Sequence, residues 1–252
     1  MTQETTRKTT QKTREGPTSR HEQDLCAAER ERVGTRALVA GLDEVGRGAW
    51  AGPVTVGLVV WQEGIVVQGV RDSKLLSPQR RVELANEIRD CLPYGVGHAG
   101  NVEVDELGMN AALRLASLRA LLALEESFCV VPSHLIVDGT QNFLAGVLPA
   151  MCLPKADTHC VSVAMASVLA KAMRDAQMVT VSEHYPVYAF AENKGYPAPV
   201  HRRALEEHGP CVLHRHSWAP LRALAGAPPF RRVFLPAPGP ARLPLASAPT
   251  LF

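Results

Sequence analysis

Four acids in this chain stand where an apolar run gives out or where a helix is about to begin. Gly41-Leu42-Asp43-Glu44-Val45-Gly46-Arg47-Gly48 places two adjacent carboxylates at the end of a β-prone stretch. Leu135-Ile136-Val137-Asp138-Gly139 repeats the arrangement, and Lys155-Ala156-Asp157 sets a further acid ahead of a segment rich in small residues. Clustered carboxylates without thiol or imidazole partners suit hard cations such as Mg²⁺ or Mn²⁺. Two such ions about 3.5–4 Å apart are a common device for cleaving phosphodiesters in line. Taken singly, each acid is equally well explained as a loop cap. Neighbouring strand residues face opposite ways, so Asp43 and Glu44 serve one site only if the backbone turns there, a turn that Gly46 and Gly48 permit.

Basic and aromatic residues flank these acids. Asp72-Ser73-Lys74 precedes a helix, Lys155 precedes Asp157, Lys171 and Arg174 share the small-residue segment, and Lys194-Gly195-Tyr196 follows in a loop. Phosphates are held by Lys, Arg, hydroxyl and backbone N–H groups, and a tyrosine can stack on a sugar or base. His214-Arg215-His216 lacks the spaced Cys or His partners of a zinc site and reads as a surface basic patch. The six cysteines are scattered, with no C-x-x-C pair, and read as reduced, partly buried thiols.

The elements that must position these groups follow from local pattern. Residues 37–42 and 54–61 are β-prone runs separated by a Gly-rich turn. Ser77-Pro78 opens a helix to about Cys91, with Ser as N-cap and Pro at the first helical position. Residues 94–102 read as a strand, 111–124 as a helix with Leu113, Leu118 and Leu121 on its apolar face, and 134–137 as a short buried strand. Residues 161–181 form a helix whose Ala164, Ala166, Ser167 and Ala170 allow close approach to a sheet, and 200–208 a shorter helix. The sum is a mixed α/β or α+β layer fold around one sheet. Residues 1–33 are charged and nearly free of bulky apolar side chains and read as a disordered arm. Residues 226–252 read as a Pro/Ala-rich tail, which leaves one domain over 34–225.

Composition limits the function classes. With 46% hydrophobic residues in 252, the chain can build a core. It has no run of about 18 apolar residues, and its first residues lack the apolar stretch of a secretory signal, so a cytoplasmic protein is expected. A formal net charge of +2 is too small to imply a nucleic-acid partner by itself, so such a partner must rest on local basic patches.

Together these motifs resemble ribonuclease HII. The match runs through residues 41–48, Ala51-Gly52-Pro53-Val54, Asp72-Ser73-Lys74-Leu75-Leu76-Ser77, Val137-Asp138-Gly139 and Lys155-Ala156-Asp157. It continues through residues 162–171, Arg174-Asp175, Tyr185-Pro186, Lys194-Gly195-Tyr196 and His214-Arg215-His216-Ser217-Trp218, in the family's order and spacing. Met165 stands where the family usually has Ala, and Leu75 where Lys is common; neither removes a catalytic group.

The resemblance implies an RNase H-like α/β fold: a central mixed five-stranded sheet flanked by helices, with a helical C-terminal part. It implies hydrolysis of the RNA strand of RNA–DNA hybrids and incision 5′ of a single ribonucleotide in duplex DNA, leaving 3′-hydroxyl and 5′-phosphate ends. By motif position, Asp43, Glu44, Asp138 and Asp157 are similar to the family's catalytic, Mn²⁺- or Mg²⁺-binding acids. Gly46, Arg47 and Gly48 correspond to the loop that senses the ribose 2′-hydroxyl, and Tyr196 to the residue that stacks on the sugar at the RNA–DNA junction. Lys74, Ser167 and Lys171 are implied phosphate contacts, and Asp175 is read as structural. The terminal Leu251-Phe252 is similar to the short apolar ending by which repair proteins dock on a sliding clamp. A monomer is expected. Two other readings remain open: a two-metal nuclease of the same fold acting on DNA junctions, and a binding module that has lost catalysis.

Overall fold

β2 (Val54–Val60) is buried at every position and β1 (Val39–Val45) at its first five, as strands covered on both faces must be. The computed structural model describes residues 16–34, 37–70 and 73–224. β1 and β2 pair antiparallel, and β3 (Tyr94–Ala99) extends that meander beyond β2. On the other edge of β1, β4 (His134–Asp138) and then β5 (Ala150–Leu153) pair in parallel, which gives a mixed five-stranded sheet in the order β3-β2-β1-β4-β5.

One face of the sheet is covered by α4 (Met109–Phe128), whose Leu113, Ala116, Ala120 and Leu124 pack with Val54, Val56 and Leu58 of β2 and Val137 of β4. The other face carries α5 (Val161–Ser182), the helix of small residues. It lies directly on the backbone of the sheet. A Cβ at Gly41 would come within 2.3 Å of Ser162, and one at Gly57 within 2.4 Å of the Ala166 carbonyl. α2 (Pro78–Cys91) packs outside α5, with Leu84, Ala85 and Ile88 against Met165, Val168 and Leu169. Its start matches the sequence, since the Ser77 hydroxyl accepts the Arg80 N–H at 3.2 Å.

The segment read as a disordered arm contains a helix, α1 (Arg20–Val33), and this corrects the boundary at residue 33. Its inward face is polar: Glu22, Cys26 and Glu29 are buried. Glu22 Oε1 accepts the Ser162 N–H at 2.8 Å and the Ser162 hydroxyl at 2.7 Å. That caps α5, whose N-cap residue Cys160 makes no side-chain bond of its own. Glu29 meets His134 Nδ1 at 3.3 Å and Arg32 at 2.7 Å. Residues 1–15, the rest of that arm, lie outside the described residues, as does the tail at 226–252 with Leu251 and Phe252.

The sequence also left out α3 (Asn101–Leu107) and β5, and it ran β3 on through residue 102. The helical C-terminal part comprises α6 (Phe190–Asn193), α7 (Pro199–His208) and α8 (Ala219–Leu224). It gathers around Met178, Tyr185, Tyr188, Phe190, Leu205 and Leu221. No helix among the described residues is long and apolar enough to cross a membrane.

Candidate active site at the ends of β1 and β4

Strand register brings two of the acids together. Leu42 pairs with Val137 in the parallel β1–β4 ladder, so the next residues, Asp43 and Asp138, emerge side by side. Asp43 is buried and accepts the Glu44 N–H at 2.8 Å. It is also hydrogen-bonded by the Ser167 side chain of α5. Asp138 Oδ1 accepts the Ala156 N–H at 2.8 Å and so pins the 3-10 turn 156–158, in which Asp157 is buried. Glu44 Oε1 accepts from Arg47 Nη1 at 3.1 Å, while its Oε2 is buried with no hydrogen-bond partner. The turn expected to bring the two acids to one site is absent between them, because Glu44 and Val45 still pair with Val56 and Thr55; they share a neighbourhood through Asp138, whose charge bears on both. The turn comes at Gly46, at φ 94°, where a side chain would be strained.

The acids share one electrostatic neighbourhood. Burial, then the charges of Glu44 and Asp138, push Asp43 up to about 8, against the pull of the Ser167 hydrogen bond. Glu44 is also raised, chiefly by burial, with Arg47 opposing and Asp138 adding to the rise. Among the described residues, no group of three or more His, Cys, Asp or Glu side chains is placed to hold a metal ion together. The donor set nonetheless fits a hard divalent cation: buried carboxylates that repel one another, all-oxygen chemistry, and an orphaned Glu44 oxygen that a cation would satisfy. Asp43, Glu44 and Asp138 could hold such an ion, with Asp157 one residue from the N–H that orients Asp138.

Substrate-facing candidates lie around these acids. Arg47 and Gly48 are exposed on the loop after β1, and Lys74 is exposed in a short 3-10 turn. A groove of about 490 Å³ is lined by Arg81, Lys171, Asp175, Glu192, Lys194 and Tyr196. The Lys171 ammonium lies 5.7 Å from the Tyr196 ring centre and 2.5 Å from Asp175 Oδ1.

Two expectations are corrected here, and Ser167, expected as a phosphate contact, is buried with its hydroxyl 2.9 Å from that of Ser73. His214 and Arg215 are fully buried, and only His216 of that tripeptide is exposed, so it is no surface basic patch. Arg174, grouped with the phosphate-holding cations, is also fully buried, bonded to backbone carbonyls. Sequence reasoning missed Arg81, which donates to the Ser73 and Leu76 carbonyls and pairs with Asp175 at 3.2 Å. It thereby braces the turn bearing Lys74. Nothing in the sequence around Arg81 separates it from a solvated helix residue.

Comparison with known proteins agrees with this architecture. The family model described as Ribonuclease HII matches residues 40–221. A curated Ribonuclease HII of Streptomyces avermitilis is 48% identical over 188 residues, 74% of this chain and 79% of that protein. The crystal structure of the ribonuclease H2 of Pyrococcus horikoshii OT3 superposes with a TM-score of 0.62 at 28% identity, covering 74% of this chain and 96% of that one. A chain of the PCNA:RNase HII complex of Archaeoglobus fulgidus gives 0.62 at 27% identity, covering 74% and 96%. With its RNase H-like sheet, its converging acids and a family match over most of its length, the chain belongs to the ribonuclease HII family, nucleases that hydrolyse RNA in RNA–DNA hybrids.

Proposed function

We propose that this enzyme incises duplex DNA on the 5′ side of a single embedded ribonucleotide, as well as cutting the RNA strand of hybrids. The observation that carries the reading is the convergence of Asp43, Glu44 and Asp138 beside the loop bearing Arg47. Asp43, Glu44, Asp138 and Asp157 would hold two Mn²⁺ or Mg²⁺ ions. When bound, these supply the charge that activates a water for in-line attack and stabilises the departing 3′ oxygen.

The chain's own residues do the rest. Ser167 holds Asp43, and the Ala156 N–H fixes the Asp138 carboxylate. Gly46, Arg47 and Gly48 approach the ribose closely enough to read its 2′-hydroxyl, the group that distinguishes RNA from DNA. Tyr196 stacks on the sugar at the junction, and Lys74 and Lys171 hold flanking phosphates. Since the 2′-hydroxyl completes the site, plain DNA binds without being cut. Cleavage breaks the P–O3′ bond, adds water across it, and leaves 3′-hydroxyl and 5′-phosphate ends.

The test is a labelled DNA duplex with one ribonucleotide, incubated with Mg²⁺ or Mn²⁺ beside an all-DNA control and an Asp138→Asn variant. A cut 5′ of the ribonucleotide, lost with EDTA, with the control and with the variant, is expected. Intact binding with no cut on this duplex would overturn the reading. We extend the proposal to sliding-clamp docking through Leu251 and Phe252, since one similar structure is a PCNA:RNase HII complex. Deleting those two residues should abolish clamp binding and leave incision unchanged; clamp binding that survives the deletion rules the tail out.

A further inference from the structure

Two arginines that see no solvent tie together the loop carrying Arg47 and the loop carrying Tyr196. Arg174 of α5 and Arg215 are both fully buried, and among the described residues neither has a carboxylate within ion-pair distance. Buried charges are ordinarily paired, so two that are not need another role. Their hydrogen bonds supply it. Arg174 Nε donates to the Pro53 carbonyl at 2.8 Å, Nη2 to Ala51 at 3.1 Å, and Nη1 to Lys194 at 2.9 Å. Its guanidinium carbon lies 5.3 Å from the centre of the Tyr196 ring.

Arg215 completes the arrangement from the far side. Its Nε and Nη2 donate to the Gly52 carbonyl at 3.1 and 3.0 Å, and Nη1 donates to the Arg47 carbonyl at 3.0 Å. The Trp218 ring covers it at 5.4 Å. The two loops also bond directly, because the Trp50 and Ala51 N–H groups both donate to the Gly195 carbonyl. There is no slack between them. A Cβ at Gly46 would sit 2.5 Å from Arg174 Nε, and one at Gly195 would sit 2.4 Å from the Ala51 carbonyl oxygen.

We propose that Arg174 and Arg215 are positioning residues that lock the 46–53 and 194–196 loops into one rigid clamp, so that both sides of the ribose are read in a single geometry. This rests on the reading of Gly46, Arg47, Gly48 and Tyr196 as the ribose-sensing groups. A planar fork is required. Arg174 serves three carbonyls on two loops with three separate nitrogens, which a lysine ammonium cannot span. Burial and the neighbouring Arg174 lower Arg215 to about 9, so it remains a cation at neutral pH.

The test uses Arg174→Lys and Arg215→Lys in the full-length enzyme with Mn²⁺. Single-turnover cutting of the one-ribonucleotide duplex should slow by about 10- to 100-fold, the cost of slight misplacement, while the Kd for that duplex in EDTA stays within about threefold. In a Tyr196→Ala background, Arg174→Lys should cost far less, because the group it positions is gone. Wild-type rates in both variants, or losses that add fully to that of Tyr196→Ala, overturn the clamp. Hydrogen exchange on the wild-type protein decides the matter without a variant. The Ala51, Gly52, Gly195 and Arg215 amides should open as one unit, and opening of Gly195 independent of Ala51 and Gly52 overturns the proposal. Failure of the wild type to cut the one-ribonucleotide duplex would instead sink the functional reading, which keeps the two failures distinct.

Discussion

Burial of Asp43 beside Glu44 and Asp138 should cost the metal-free protein stability, and that cost can be measured. Burial and the neighbouring carboxylates push the Asp43 carboxyl up to about 8 from an ordinary value of 3.8. A group raised in this way contributes stability that is fully present below the lower value and is lost as pH rises through the upper one. Above pH 8 the buried, repelled carboxylate is therefore at its most unfavourable, by on the order of a few kcal/mol. Asp43→Asn should abolish cleavage yet raise the thermal midpoint of the metal-free protein at pH 8.5 by several degrees, with a smaller gain at pH 5. An equal or lower midpoint for the variant at pH 8.5 would show that the site is not strained. The nearness of Asp43 to Asp138 was legible because each follows an apolar run, and the strand register sets them side by side. Arg174 and Arg215 were not legible, because a sequence does not distinguish an arginine in water from one bonded to three distant carbonyls.

Elements were legible where an apolar face makes them. α2, α4, α5 and α7 declared themselves by spacing or capping, whereas α1 hides because polar residues dock it. Glu22 supplies the N-terminal cap of α5 from 140 residues away. Glu22→Ala should lower stability by about 1–3 kcal/mol, since it strands the buried Ser162 N–H, while Glu22→Gln keeps an acceptor and most of that stability. Urea denaturation of both variants beside the wild type checks this, and a wild-type midpoint for Glu22→Ala would show that the cap contributes nothing. β5 was missed because its four residues are all half-buried, with no alternation to read.

The C-terminal helices carry their own pH dependence. The Cys211 N–H donates to His214 Nδ1 at 2.9 Å, which leaves the His214 proton on Nε2, facing His201 Nε2 at 3.0 Å. His201 Nδ1–H can then donate to the Tyr196 carbonyl at 2.8 Å, so both rings sit neutral. Burial, then His201, lowers His214 to about 3. For a depressed group, stability is present above the unfolded value of 6.5 and is lost as pH falls towards the folded one. The loss should be about 1.4 kcal/mol per pH unit between pH 6 and 4. A His214→Gln variant should be less stable at pH 7.5 but show a shallower acid slope; parallel slopes would remove His214 as the cause.

At the scale of the whole molecule, a net charge of +2 gives little general attraction for a polyanion, so affinity must come from a few local contacts. Arg174 and Arg215 are buried out of reach of any phosphate, which leaves the contacts to exposed and half-buried cations. Lys74 is exposed on the turn that Arg81 braces, and the proposed function makes it a phosphate contact. Each phosphate a protein neutralises adds about 0.9 to the slope of log affinity against log salt. Lys74→Ala should therefore reduce that slope by about 1 and weaken ribonucleotide-containing and all-DNA duplexes alike. Tyr196→Ala should do the opposite, leaving the slope unchanged while impairing incision at the ribonucleotide, because stacking on a sugar releases no counterions. Binding isotherms at several salt concentrations separate the two, and a Lys74→Ala slope equal to that of the wild type would place the phosphate contacts elsewhere on the surface. On the proposed function, the near-neutral total hides a division of labour, with holding assigned to exposed cations and choosing to a clamp whose own cations are buried.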